Sequence, residues 1–221
     1  MSDFSQTEEN YLKAIFKICE RNGKAASTNA ISNVINTSAA SVTDMIKRLE
    51  KKEFIHYERY KGVTLTETGN DIATSLIRKH RLWEVFLVEK LDFSWDEVHE
   101  IAEQLEHIRS PKLVERLERF LSYPKFDPHG DPIPDAQGRF TYRKQILLTK
   151  LKKGDKGVIV GVYEHSPAFL QFLDQLGLVL GASVEILEKY DFDESLRIMI
   201  NNQKEWTISK KVSQNLFLQQ Q

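Results

Sequence analysis

The chain has 221 residues, of which 41% are hydrophobic and 29% are charged, and its formal net charge is −1. These values predict one or two soluble globular domains, and they exclude nucleic-acid binding through an overall positive charge, so a DNA-binding surface would have to be a local basic patch. The single cysteine, Cys19, excludes an internal disulfide and favours a reducing cytoplasm. No apolar run approaches the ~20 residues of a membrane span, and the first residues do not resemble a signal peptide, so we expect no membrane partner.

The first predicted element is an amphipathic helix over residues 5–21. Ser5 and Glu8 have the spacing of a capping box, and Gly23 follows the last helical residues. Apolar residues recur at helical spacing along the segment. Cys19 lies on this apolar stripe, and we expect it in the core.

Two shorter helices follow, separated by a break at residues 36–38. Ser27 precedes the first of them, and the second runs from Ala39 to Lys52. Two short helices around a tight turn, the second beginning with small residues, are typical of a helix-turn-helix. Small residues matter there because that end of the helix must approach the base edges closely.

Residues 54–65 alternate like two strands joined at Lys61-Gly62, which predicts a β-hairpin, or wing. From residue 43 to residue 61 there are six basic and four acidic residues, a modest positive excess. An ordinary surface helix and hairpin would look similar, but DNA binding is the favoured interpretation.

A long helix is predicted from residue 66 to about Leu91. It is apolar on more than one side, which favours packing against a second copy of the chain as a homodimer. Ser94 is expected to cap the next helix, and Ser110-Pro111 to open another that ends near Ser122.

Histidines and glutamates cluster on these helices. If residues 97–107 are helical, then four of them lie within an arc of about 100°, and two more are one turn apart on the preceding helix. The four are His99, Glu103, Glu106 and His107, and the pair is His80 and Glu84. Without Lys or Arg on that face, the cluster suits a divalent metal, although a solvated polar face is the plain alternative.

Residues 123–145 contain four of the six prolines and are predicted to be an extended linker. The remaining chain reads as short strands with one helix at residues 167–176, which suggests a small barrel. The predicted domains are a DNA-binding domain over 1–65, a helical domain over 66–122, the linker over 123–145 and the barrel over 146–221.

These motifs together resemble the diphtheria-toxin-repressor family of metal-dependent transcriptional repressors. The matching segments are residues 7–12, 41–43, 78–84, 98–100, 106–107 and the proline-rich run 128–134. The resemblance covers nearly the whole chain. It implies a mainly α fold with a small β part: an N-terminal winged helix-turn-helix, a helical dimerisation domain and a C-terminal SH3-like (FeoA-type) β-barrel. It also implies a regulator and not an enzyme.

The resemblance further implies two metal sites. One maps onto His80, Glu84 and His99, completed by Glu164 or His165; the other maps onto Glu103, Glu106 and His107 with Asn10 of the first helix. Manganese-type members have Glu where Glu103 stands, so we expect Mn²⁺ first and Fe²⁺ next, with Zn²⁺ or Co²⁺ possible in vitro. Asn10 matches neither the iron-type nor the manganese-type pattern.

The implied mechanism is a population shift in which the metal positions two recognition helices of a dimer on double-stranded operator DNA. The candidates for base-edge contact are Ser38, Ala39, Ala40 and Asp44. The candidates for phosphate contact are Thr28, Thr43, Lys47, Arg48, Arg59 and Lys61.

Two other functions remain open at the level of sequence. A metallohydrolase would use the helix of His99 and His107, but Glu103 stands where a zinc-protease motif needs its second histidine. A winged-helix regulator with an organic effector would leave the polar cluster without a metal.

Overall fold

The computed structural model describes residues 4–220, which form two compact units. The first contains the chain up to His80 together with Gln104–Ser110 and Pro134–Phe140, and the second contains Arg81–Glu103, Pro111–Ile133 and Thr141–Gln221. The predicted domains follow sequence order, whereas each compact unit combines separate segments of the chain.

The first unit contains the predicted winged helix-turn-helix. Its elements are α1 (Gln6–Asn22), α2 (Thr28–Ile35), α3 (Ala39–Lys51), β1 (Ile55–Glu58), β2 (Gly62–Leu65) and the first part of α4 (Glu67–Leu91). Ser5 and Glu8 form the predicted capping box of α1, and Gly23 ends the helix in the left-handed conformation. The core includes Leu12, Ile31 and Leu49, with Cys19 packed against it as predicted.

The helices α5 (Val98–Leu105) and α6 (Pro111–Phe120) follow α4. The expectation that helix continues through His107 is wrong, because α5 ends at Leu105 and the next two residues lie in a turn. Glu106 and His107 therefore do not continue the face of α5 that carries His99 and Glu103.

The second unit contains a six-stranded antiparallel sheet with strand order β3-β8-β4-β5-β6-β7. The strands are β3 (Ile146–Leu147), β4 (Lys156–Val162), β5 (Ser183–Lys189), β6 (Leu196–Ile200), β7 (Lys204–Ile208) and β8 (Leu216–Gln220), with the helices α7 (Pro167–Leu176) and α8 (Lys210–Ser213). Its core includes Ile159, Leu173 and Ile198. The helix predicted at residues 167–176 is found at those positions, and the short strands predicted around it form the sheet, although no strand was predicted where β8 lies.

The proline-rich segment is not an extended, solvated linker. Asp127, His129 and Ile133 are buried, and Phe126 pairs with Pro132 in an isolated bridge. Gly130 has a φ of +91°, and a Cβ there would lie 2.1 Å from the carbonyl oxygen of Val160, so only glycine fits. The segment thus forms a closely packed loop, because its backbone and its polar side chains pair internally. Within residues 4–220, none of the helices has the length and apolar character needed to cross a membrane.

Candidate metal centre and DNA-binding surface

The second unit brings together three buried side chains that can bind metal: Glu84 of α4, and Asp127 and His129 of the proline-rich loop. Their side chains are at most 3% exposed. The Oδ1 atom of Asp127 accepts hydrogen bonds from the backbone N–H of His129 (2.8 Å) and of Asp131 (3.0 Å). These two bonds close the loop, which holds the carboxylate and the imidazole next to each other.

The orientation of His129 leaves one ring nitrogen for a ligand. Its Nε2 lies 2.8 Å from the carbonyl oxygen of Trp95; a carbonyl only accepts, so Nε2 carries the proton and donates it. In the neutral ring Nδ1 then presents a lone pair, and this buried atom has no hydrogen-bond partner among the described residues.

The Nδ1 atom of His129 faces two carboxylates at distances too long for hydrogen bonds. It lies 3.8 Å from Oε2 of Glu84 and 3.9 Å from Oδ1 of Asp127. Two ligand atoms that are each about 2.1 Å from one metal ion are separated by roughly 3–4 Å. The donor atoms therefore have the spacing of ligands around a cation.

The electrostatics of this group also require a positive charge. Burial, together with the neighbouring carboxylates of Asp131 and Glu84, raises the pKa of Asp127 to about 7, although Arg81 and His129 act in the opposite direction. Burial alone would lower the pKa of His129, but the facing carboxylates of Glu84 and Asp127 raise it to about 9. In the absence of a metal ion, a proton on His129 supplies the missing positive charge.

Other predicted ligands lie around this centre. The Nδ1 atom of His99 is 3.4 Å from Oε1 of Glu84, and its Nε2 is 3.6 Å from Oε1 of Glu103, whose side chain is exposed. The ring of His165 stacks on that of His129 with 4.6 Å between centroids. Glu164 is exposed, and its carboxylate accepts a hydrogen bond from the N–H of Ser166.

A second buried group lies in the first unit and is centred on Glu106. The Nζ atom of Lys13 is 2.6 Å and 2.9 Å from the two carboxylate oxygens of Glu106, and Nδ1 of His80 donates to the same carboxylate at 2.6 Å. The Nδ1 atom of His107 donates to Glu9 at 2.5 Å. Burial opposes ionisation of Glu106, but His80 and Lys13 hold its pKa below the ordinary value.

The residues that the first helix contributes to this group differ from Asn10, the residue predicted from the sequence. Asn10 is exposed on α1, whereas Glu9 and Lys13 contact His107 and Glu106. Neither Glu9 nor Lys13 was singled out from the sequence, although their i,i+4 spacing on an amphipathic helix places them on one face. Asp127 and His129 were also missed as ligands; His129 is part of the quoted proline-rich motif.

The predicted DNA-binding residues lie mostly on exposed surfaces of the first unit. The exposed ones are Ser38, Ala39, Ala40, Thr43, Asp44, Lys47, Arg48, Arg59 and Lys61, while Thr28 is half-buried. Val42, Ile46 and Leu49 are the buried face of α3, so the polar and small residues occupy its opposite side. Arg48 also contacts Glu8 at 3.2 Å, and Lys61 contacts Glu58 at 2.6 Å.

Three family models match the chain in sequence order. They are the iron-dependent repressor N-terminal DNA-binding domain (residues 3–63), the iron-dependent repressor metal-binding and dimerisation domain (residues 66–135) and the FeoA domain (residues 146–220). The iron-dependent repressor IdeR of Mycobacterium leprae is 32% identical over 200 residues, which are 84% of this chain and 86% of that protein.

Solved structures of manganese regulators are similar over nearly the whole chain. A manganese-dependent transcriptional repressor in complex with manganese has a TM-score of 0.87 at 30% identity and covers 97% of this chain and 100% of its own. The ScaR structure with bound Cd²⁺ has a TM-score of 0.78 at 31% identity, covering 96% and 98%.

The winged helix-turn-helix, the metal-binding and dimerisation domain and the FeoA domain define a metal-dependent, DNA-binding transcriptional repressor. The chain belongs to the iron-dependent repressor family, whose members include the diphtheria toxin repressor. The predicted family, fold class and general function are thereby confirmed, and the alternative of a regulator with a non-metal effector is not needed.

Proposed function

We propose that this repressor senses a divalent metal ion at the centre formed by Glu84, Asp127 and His129. The observation that carries the proposal is the unpartnered Nδ1 atom of His129, which is buried and faces two carboxylates. Two buried carboxylates beside one imidazole are costly unless a cation balances their charge, and a metal ion bound to all three groups can replace the proton on His129. This donor set adds Asp127 and His129 to the residues predicted from the sequence.

We further propose that His80 and His99 contribute to this metal regulation, as the family resemblance implies. His99 lies beside Glu84, and His80 precedes Glu84 by one turn on α4. His165 supports the ring of His129 by stacking, and Glu164 remains the alternative predicted ligand.

Mn²⁺ is the proposed ion, with Fe²⁺ second and Zn²⁺ or Co²⁺ as substitutes in vitro. The donors of the centre are carboxylate oxygens and imidazole nitrogen, and hard oxygen donors suit manganese. Cys19, the single thiol of the chain, is packed against the core of the first unit and hydrogen-bonds to Val63. The manganese complex of the similar repressor supports the same ion.

The proposed partners are operator DNA and a second copy of the chain, in the cytoplasm. Exposed apolar side chains of the second unit, at Leu91, Leu113, Phe120 and Tyr123, offer a surface for a homodimer. A two-fold dimer would read half-sites roughly 34 Å apart through the exposed side of α3. Metal binding and DNA binding would then strengthen each other by the same factor.

The test measures DNA binding with and without metal. Double-stranded DNA is selected from a random pool with the full chain and Mn²⁺, and its affinity is then measured by fluorescence anisotropy with Mn²⁺ or with a chelator. We expect Mn²⁺ to tighten binding at least 10-fold in the wild type, within the usual range of allosteric coupling. We expect no such effect in the His129→Phe and Glu84→Gln variants.

The matched control is Glu188→Gln, which removes a carboxylate from a half-buried position of the sheet in the same unit. It should keep the full response to Mn²⁺. Equal affinity with metal and with chelator in the wild type, or a full response in both centre variants, would contradict the proposal.

A further inference from the structure

The group centred on Glu106 already contains a cation, which is the side chain of Lys13. The ammonium nitrogen contacts both carboxylate oxygens of Glu106, and the two side chains are 7% and 1% exposed. The Nδ1 atom of His80, 3.3 Å from Nζ, donates to Oε2 of the same carboxylate. Both oxygens of Glu106 are therefore occupied by donors from the protein itself.

The other carboxylate of the group also has a partner within the protein. Glu9 accepts a hydrogen bond from His107. The carboxylate of Glu106 is thus paired with Lys13, and the carboxylate of Glu9 is hydrogen-bonded to His107.

The geometry is also unfavourable for a metal. An ion about 2.1 Å from a carboxylate oxygen of Glu106 would lie within roughly 4 Å of the Lys13 ammonium, and the repulsion of the two cations is strong in a buried, weakly screened site. The ammonium group of Lys13 therefore occupies the carboxylate of Glu106, which a second metal site would need as a ligand.

We propose that Lys13 is the permanent cation of this group. Its ion pair with Glu106 links α1 to residues 104–110 at the place where the family resemblance implies a metal site. Metal regulation then depends on the Glu84 centre alone, and this last point rests on the proposed function. The arrangement makes the position of α1 relative to residues 104–110 independent of metal.

Equilibrium dialysis of the full chain against Mn²⁺, followed by elemental analysis, tests the inference by counting bound ions. We expect Glu106→Gln to keep the wild-type number of ions, because no ion uses that carboxylate and the glutamine amide oxygen can still accept from His80. We expect Lys13→Gln to bind one more ion per chain than the wild type, since it removes the ammonium group from the carboxylate of Glu106, which lies in the same group as Glu9 and His107. Lys17→Gln, on the exposed side of the same helix, should bind the wild-type number.

Loss of a bound ion in Glu106→Gln would overturn the inference, as would a folded Lys13→Gln protein with an unchanged number of ions. If Lys13→Gln does not fold, the Glu106→Gln count decides. If Glu84→Gln bound as many ions as the wild type, the proposed function would be contradicted. A gain of one ion in Lys13→Gln would still support the role of Lys13 in that case.

Discussion

The Nε2 atom of His129 donates a 2.8 Å hydrogen bond to the carbonyl oxygen of Trp95. This bond determines which ring nitrogen carries the proton, and therefore directs the other nitrogen at Glu84 and Asp127. The ring is further held between Trp95 and His165, whose planes lie within 13° and 21° of its own. Such fixed orientation of a histidine is a common property of metal ligands.

The first prediction concerns this histidine. His129→Phe should preserve the stacking with Trp95 and His165 but remove the nitrogen ligand, so we expect Mn²⁺ affinity to fall by more than about 100-fold, beyond the range seen for loss of an outer partner. Isothermal titration calorimetry measures the change. His56→Phe, at an exposed position of β1, is the control, and an unchanged affinity in His129→Phe would exclude His129 as a ligand.

The second prediction concerns the stability supplied by Lys13. Lys13→Met leaves Glu106 buried without its cation, and removal of one partner of a buried ion pair costs about 3–5 kcal/mol of unfolding free energy. Urea denaturation in the presence of a chelator measures this loss. Lys17→Met should change the stability by less than about 0.5 kcal/mol, because Lys17 is exposed.

A double-mutant cycle separates the ion pair from other effects of the substitution. The double variant with Lys13→Met and Glu106→Leu should be more stable than the sum of the two single losses predicts. The reason is that the double variant has no buried charge left in this pair. Strict additivity would show that Lys13 and Glu106 do not interact in solution.

The third prediction concerns pH and Glu8. Burial disfavours its charged form, but Lys52, the N–H of Ser5 and Arg48 together hold the pKa of Glu8 below its ordinary value of 4.5. A carboxyl whose pKa is lower in the folded state stabilises the protein above the unfolded pKa, and this stabilisation is lost as the pH falls through the folded pKa. Glu8→Gln should therefore destabilise the protein near pH 7, by about 1 kcal/mol, and much less at low pH.

Denaturation of the wild type and of Glu8→Gln at pH 7 and below pH 4 measures this difference. Glutamine can still form the capping box with Ser5, so the variant removes the charge without removing the cap. Glu20→Gln, exposed on the same helix, is the control. A difference in stability that stays constant across this pH range would contradict the role of the charge.

The fourth prediction concerns DNA contact by α3. Lys47 is exposed on the proposed DNA-facing side, and loss of one phosphate contact reduces the slope of log affinity against log salt by about 0.9. Lys47→Ala should weaken binding to all sequences similarly and lower the slope by this amount, measured by anisotropy at several salt concentrations. Lys204→Ala, exposed in the second unit, should leave the slope unchanged.

Short-range patterns in the sequence predicted most of the helices and the wing. Ser5 with Glu8, and Ser27, cap helices where expected, since a cap involves residues only three apart. Ser38, which was not predicted to be a cap, caps α3. The strand β8 was missed because its pairing partners, β3 and β4, lie far away in the sequence. The helical pattern past Leu105 was misleading, because Glu106 pairs with Lys13 and His107 hydrogen-bonds to Glu9, both on α1, instead of continuing α5.

The amino-acid sequence by itself determined the family, the order of the domains and the histidines and glutamates available for metal, because these depend on residue identity and local spacing. Only the tertiary structure decided which groups meet. It placed Lys13 beside Glu106, although the two are 93 residues apart in the chain, and it directed His129 of the proline-rich loop at Glu84. Residues far apart in the chain determine the charge balance of each cluster, and that balance decides whether a metal ion or a lysine neutralises it.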